Sequence, residues 1–216
     1  MKDILKGQIG HFFILFLLLI GLCYLYHAVP SMEKGAVFGV STKAWFIVSV
    51  CSPVVHQVYV MVLWRLELFH KTISRTIGNW GFFYFKAGFT LLILLRPISI
   101  IILALSNSDS MVINPIVRYL GALILVLPGI YLGYSIKRYF GIDRAFGKDH
   151  FCPIEAKEWP LIRQGIFKYS SNSMYVFGFL VLWVPGLLLQ SKAALAVALF
   201  SHIYVWVHYY FTEKPD

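Results

Sequence analysis

Two short stretches of the chain gather side chains able to hold a charged ligand. The first, residues 165–178, reads Gly-Ile-Phe-Lys-Tyr-Ser-Ser-Asn-Ser-Met-Tyr-Val-Phe-Gly and passes from a basic polar loop into an apolar run at Met174. Ser170, Ser171, Asn172 and Ser173 can accept hydrogen bonds from the free N–H groups of a helix start. Such a start carries a partial positive charge and suits a carboxylate or phosphate. The second stretch closes the chain, from His202 through His208, Tyr209 and Glu213. At ~100° per residue, His202, Trp206, Tyr209 and Glu213 share a helix face, whereas in a regular helix His208 points more than ~90° away from Glu213. His202 lies about 16 Å from Glu213 along the axis, so a compact site at this end holds Tyr209 and Glu213 without it. A carboxylate at a helix C-terminus is opposed by the helix dipole. Glu213 therefore needs a partner, either within a site or in water through Lys214 or a loop Arg.

The elements that must position these groups are membrane helices. Hydrophobic residues make up 59% of the chain and charged residues 13%, with a mean hydropathy of +0.72, a composition foreign to most soluble domains. Runs near the ~20 apolar residues needed to cross a bilayer occur at 11–29, 44–64, 82–105, 116–136, 174–189 and 193–211. The expected fold is thus all-α and integral to the membrane, with about six transmembrane helices. The last two, joined only around Ser191-Lys192, form an antiparallel hairpin. The first run is read as a retained helix, since it is long and no small-residue cleavage site follows it. Cys23, Cys51 and Cys152 show no metal or redox spacing, so no metal site is expected. The net charge of +9 reflects basic loops rather than nucleic-acid binding.

Outside the two stretches, the polar residues divide as follows. In the loop 137–173, both signs of charge mix with Phe146, Phe151 and Trp159, which favours a segment lying on the membrane surface. Within it, Asp149-His150 reads as a solvated pair, because adjacent residues rarely point the same way. Arg96, inside the third run, must face protein or water. It either anchors a lipid phosphate or pairs with Glu67 or with a carbonyl freed by Pro97. His56-Gln57 reads as an interhelical hydrogen-bonding pair, Gly129 and Gly133 as close-packing positions, and Lys86 as a side chain that snorkels to the interface.

These residues carry a resemblance. Tyr131-Leu132-Gly133-Tyr134 with Tyr139-Phe140-Gly141-Ile142, then Gly165-Ile-Phe-Lys-Tyr with Asn172-Ser173-Met174-Tyr175 and Gly178, then Tyr209-Tyr210-Phe211-Thr212-Glu213 resemble, in that order, motifs of a membrane methyltransferase superfamily. That superfamily holds the phospholipid (phosphatidylethanolamine) N-methyltransferases and the isoprenylcysteine carboxyl methyltransferases. The resemblance covers roughly residues 116–216 and departs from the family pattern in places. Ser173 stands where the family has Pro, Ser171 where an Arg is frequent, Gly178 falls one residue late, and one Glu replaces two. Lacking the Arg-His-Pro form, the chain leans towards a phospholipid head-group amine as acceptor.

The chain is about one domain long, read as a single membrane domain over 1–216 with N-terminal spans over 1–110 and a methyltransferase-like core over 111–216; the resemblance implies S-adenosylmethionine as cofactor, held by the last two helices and the loop before them. It also implies cofactor contacts from Asn172, Tyr175, Gly178, Tyr209 and Glu213, with Glu213 or His208 as the general base that takes the amine proton. The expected partner is a membrane lipid substrate. Other classes stay open: an isoprenylcysteine-type carboxyl methyltransferase, a reductase-like membrane enzyme using NADPH, whose pocket should gather several Arg or Lys, and a non-catalytic membrane protein. Because the turn at 191–192 is short, residues near 172–175 should lie level with 209–213. Asn172 and Tyr175, three apart, should share a face towards Tyr209 and Glu213.

Loop charge sets the expected orientation. With the N-terminus inside, 13 of the 19 Lys and Arg fall in cytoplasmic segments and four (Lys34, Lys43, Arg118, Lys192) outside, Lys86 and Arg96 lying within a span. Both termini are then cytoplasmic, in a bacterial inner membrane or the endoplasmic reticulum. A topology reporter fused after Asp216 should read as cytoplasmic, and an external signal would reverse the assignment.

Overall fold

The structure, a computed structural model, describes residues 2–215, with Met1 and Asp216 outside them. Among the described residues, five helices are long and apolar enough to cross a membrane: α1 (Gln8–Ala28), α2 (Thr42–His70), α3 (Gly81–Ser106), α4 (Pro115–Ser135) and α6 (Lys192–Glu213). A sixth, shorter apolar helix, α5 (Ser173–Leu188), lies antiparallel to α6. The all-α membrane architecture is the expected one, but α5 is not a uniform helix. It is α-helical over Ser173–Gly178, tightens to 3₁₀ over Phe179–Trp183 and returns to α over Val184–Leu188. Pro185, near the start of that last segment, has no N–H to continue the ladder. The 3₁₀ rise stretches the 16 residues to about 26 Å, close to the ~30 Å hydrocarbon thickness.

At the centre is α6, the most buried span. Ala193, Ala194, Ala196, Ala198 and Ser201 are all buried, and small side chains like these let neighbouring helices approach closely. Around them pack Leu15 and Leu22 of α1, Phe46 of α2, Ile100 and Leu103 of α3 and Leu182 of α5. Helix α2 runs six residues beyond the apolar pattern, because Arg65 and Glu67, which the sequence places in a polar loop, are buried. The Glu67 carboxylate accepts the N–H groups of Ile73 and Ser74, each at 3.0 Å, and the Ser74 hydroxyl. It caps the short helix Thr72–Ile77 and is not the partner of Arg96.

The far end of the α5–α6 hairpin is pinned by Asn107, which is 1% exposed. Its Oδ1 accepts from Ser191 Oγ (3.1 Å), Ser110 Oγ (2.9 Å) and the Ala193 N–H (3.1 Å). Its Nδ2 donates to the Ser31 (2.8 Å) and Lys34 (3.0 Å) carbonyls. One side chain thus ties the hairpin turn to the loop after α1 and fixes how far α5 and α6 extend towards their other end. Asn107→Ala should strip these groups of their partner and lower stability by about 2–4 kcal/mol, measured by unfolding in detergent. A loss under ~0.5 kcal/mol, the scale of an ordinary surface change, would contradict the pinning role.

Candidate functional site

At the opposite end, the last turn of α6 abandons regular α-helix. Residues Tyr209–Glu213 form a π turn, closed by the Lys214 N–H donating to the Tyr209 carbonyl at 2.8 Å. A π turn hydrogen-bonds residues five apart and so swings Glu213 towards the face carrying His208. This corrects the regular-helix expectation: His208 Nε2 lies 3.5 Å from Glu213 Oε1. Across the hairpin the Tyr175 hydroxyl donates to Glu213 Oε2, and the Tyr175 and Tyr209 rings lie 5.5 Å apart. The level matching expected from the short turn is present.

Tyr175, Gly178 and Glu213 open onto a cavity of about 350 Å³ enclosed by α2, α3, α4, α5 and α6. Its walls are mostly apolar, with Val60, Phe89, Ile93, Leu132, Phe179 and Val205 among them. Gly178 keeps the wall thin, since a Cβ there would stand 3.1 Å from Leu132. The other expected residues sit differently. Tyr209 lies behind Tyr175 with its ring tilted by 45°, and His208, 1% exposed, stands behind Glu213. Neither lines the cavity, and Asn172 does not line it either.

Asn172 also fails to cap its helix. Ser170 Oγ accepts the Asn172 N–H at 3.1 Å, and Ser173 Oγ donates to the Ser170 and Ile166 carbonyls. The Asn172 side chain therefore contributes neither a cap at this helix start nor a wall of the cavity.

Several lining groups come from elements the sequence leaves aside. Trp64 and His56 of α2 and Arg96 of α3 line the cavity, at 7%, 3% and 2% exposure. Trp64 Nε1, both ring nitrogens of His56, Arg96 Nε and both nitrogens of His208 have no hydrogen-bond partner among the described residues. Unpaired buried polar atoms are rare and costly, and those of His56, Trp64 and Arg96 border the same cavity. Of the interhelical role expected for His56, only an edge-on contact with the Phe89 ring at 4.6 Å is present. Gly129 packs near Val181 as expected, but Gly133 faces open space.

The loop after α4 roofs the cavity through Ile142, Ala145 and Phe146. Phe146 packs on Phe89 and Phe151 on Phe82 and Phe85. Lys86 holds the loop down through Asp143 at 2.8 Å. The Asp149-His150 pair does point together, with Nδ1 3.1 Å from Oδ1, because His150 is stacked on Trp64 at 4.3 Å between ring centroids. Burial pushes the Asp149 carboxyl up, but the hydrogen bond and charge of His150 together with backbone N–H groups outweigh this and leave it below the usual carboxylate value.

A model of the phospholipid methyltransferase family matches residues 117–216. No curated protein and no solved structure matches the chain. The family match starts in α4 and takes in α5, α6 and the loop before them, the stretch that carries the sequence motifs. It bears out the resemblance there and supports a membrane methyltransferase.

Gly147 sits beneath Trp64 with φ 78°, and a Cβ there would run into the indole. Gly147→Ala should therefore cost about 1–3 kcal/mol through backbone strain, in addition to displacing Trp64 from the cavity wall. Unfolding in detergent measures it, and an unchanged midpoint would show that the roof does not press on Trp64.

Proposed function

We propose that this protein is an S-adenosylmethionine-dependent methyltransferase that methylates the head-group amine of a membrane phospholipid, with both termini on the cytoplasmic side. One observation carries the reading: within the family-matched stretch, Tyr175 of α5 and Glu213 of α6 meet on the wall of a mostly apolar cavity, with His208 against the same carboxylate. The residues suit the cofactor. The volume is in the range of small-molecule sites, and the unpaired donors His56, Trp64 and Arg96 give a polar, charged ligand groups to bind. Bound there, S-adenosylmethionine would supply an electrophilic methyl group.

The chain's own contribution is alignment, proton handling and exclusion of water. Tyr175, donating to Oε2, holds the Glu213 carboxylate in one orientation, leaving it able to accept from an ammonium or a ribose hydroxyl. An amine must shed a proton to attack, and Glu213 is the acceptor at the cavity wall. His208 touches Glu213 rather than the cavity, so it acts as a positioning residue that stabilises the carboxylate. The walls formed by Phe89, Ile93 and Phe179 keep water from the transfer and suit an acyl chain. A reductase is disfavoured: among the described residues Arg96 is the only Arg or Lys lining the cavity, whereas a nicotinamide dinucleotide phosphate calls for several.

Glu213→Gln should weaken cofactor binding roughly 10–100-fold, the worth of a hydrogen bond to a charged group. Tyr175→Phe should lower it less, and Asn172→Asp should leave it within about twofold. The three are compared by equilibrium binding in detergent. Transfer of labelled methyl groups into phosphatidylethanolamine but not phosphatidylglycerol vesicles checks the acceptor. Full affinity in Glu213→Gln, or no transfer to any amine lipid, would contradict the reading.

A further inference from the structure

Arg96 is nearly inaccessible at 2% exposure, yet it uses little of its donor capacity. Nη2 donates to the Pro53 carbonyl of α2 at 3.3 Å, the guanidinium covers the Phe179 ring at 5.3 Å, and Nε has no partner. No described carboxylate forms an ion pair with it, and Glu67, the acid named from sequence, is occupied by the start of the next helix. One turn along α2 from Pro53, His56 faces the same cavity with both ring nitrogens unpartnered. Pro53 lies eleven residues into α2, about 16 Å from its start, which is near the middle of a ~30 Å hydrocarbon core. A cation at that depth is expensive unless it serves a ligand or a pathway.

The cavity therefore has two polar ends. Trp64 packs 6.2 Å from His208, which touches Glu213, so these three share one level. His56 lies eight residues back along α2, roughly 12 Å away. One α-amino-acid zwitterion, whose ammonium and carboxylate are neighbours, cannot reach both.

We propose that Arg96 and His56 form an anion-anchoring subsite at the deep end of the cavity, for the carboxylate or phosphate oxygens of a ligand whose body fills the apolar space towards Glu213. Arg96 supplies the charge and the planar N–H fork that matches such groups, and His56 supplies a further ring N–H beside it. Two ligands carry this chemistry. One is the methyl donor, placed with its amino-acid carboxylate deep and its ribose at Glu213; this source rests on the function proposed above. The other is an acidic amphiphile entering from the bilayer.

Two pairs of probes, each differing by one anionic group, separate the sources: S-adenosylmethionine against its decarboxylated form, and oleate against oleyl alcohol. Affinities are measured on the full chain in non-ionic detergent, for wild type, Arg96→Gln and Arg96→Lys. Wild type should prefer the anionic member of at least one pair by about tenfold or more. Arg96→Gln should lose that preference while still binding the uncharged member, and Arg96→Lys should keep part of it. The discriminating pair identifies the source. If wild type shows no preference in either pair, or if the preference survives Arg96→Gln, the subsite is overturned. Should Arg96→Gln not fold, the wild-type comparison and Arg96→Lys still decide. If wild type binds neither adenosyl compound, the proposed function fails, and the oleate pair alone then decides the subsite.

Discussion

The carbonyl oxygen of Phe211 is the point on which the site depends. It accepts Gln8 Nε2 at 2.6 Å and Arg65 Nη2 at 3.3 Å. In a bilayer every backbone polar group needs an internal partner, and widening the end of α6 into a π turn disturbs the ladder that normally supplies one. Here side chains from α1 and α2 take over. The Gln8 Oε1 atom accepts from Thr212 Oγ1 (3.3 Å) and from His11 Nδ1 (2.8 Å), and His11 Nε2 accepts from the Tyr204 hydroxyl (3.0 Å). Arg65 also donates to the Ile4 and Lys6 carbonyls. This buried, mutually satisfied network makes the π turn stable, and the π turn in turn brings His208 and Glu213 together. α1 and α2 are therefore part of what builds the site, although the family match lies wholly beyond them.

The hairpin was legible because its cause is local. Two apolar runs joined by a few residues must lie antiparallel, and the meeting of Tyr175 with Glu213 follows from near-equal lengths. The sequence did not disclose the irregular turns that adjust this geometry. Nothing in Tyr-Tyr-Phe-Thr-Glu marks a π turn, because the partners that stabilise it, Gln8 and Arg65, stand about 200 and 150 positions earlier in the chain. The 3₁₀ centre of α5 is equally silent, except for Pro185. Asn172 shows the opposite error. Its residue type suits an N-cap, but its side chain makes no cap hydrogen bond, and the Tyr175 and Val176 N–H groups donate to its backbone carbonyl instead. Arg96 and His56 stood out as costly residues in lipid. Their convergence on one cavity was invisible, since it depends on how α2 and α3 pack.

Those placements give the cavity two ends of different character. Glu213, Tyr175 and the nearby His208 lie at the level where α5 begins, under a roof of Phe146 and Ile142 held by the Lys86–Asp143 pair. Among the described residues the deep end has a cation, Arg96, and no acid. The space between the two ends is lined mostly by apolar side chains, and low-polarity surroundings strengthen the electrostatics of both. Such a chamber suits a reaction in which a charged donor and an amphiphilic acceptor must be aligned away from solvent.

The central claim is that this chamber holds S-adenosylmethionine. Its most direct test is the unfolding temperature of the purified protein in detergent with S-adenosylmethionine or NADPH added. A ligand of the folded state at about 100 times its Kd should add roughly 2.7 kcal/mol. The account predicts a rise of several degrees with S-adenosylmethionine and none with NADPH. Stabilisation by NADPH, or by neither compound, would contradict it.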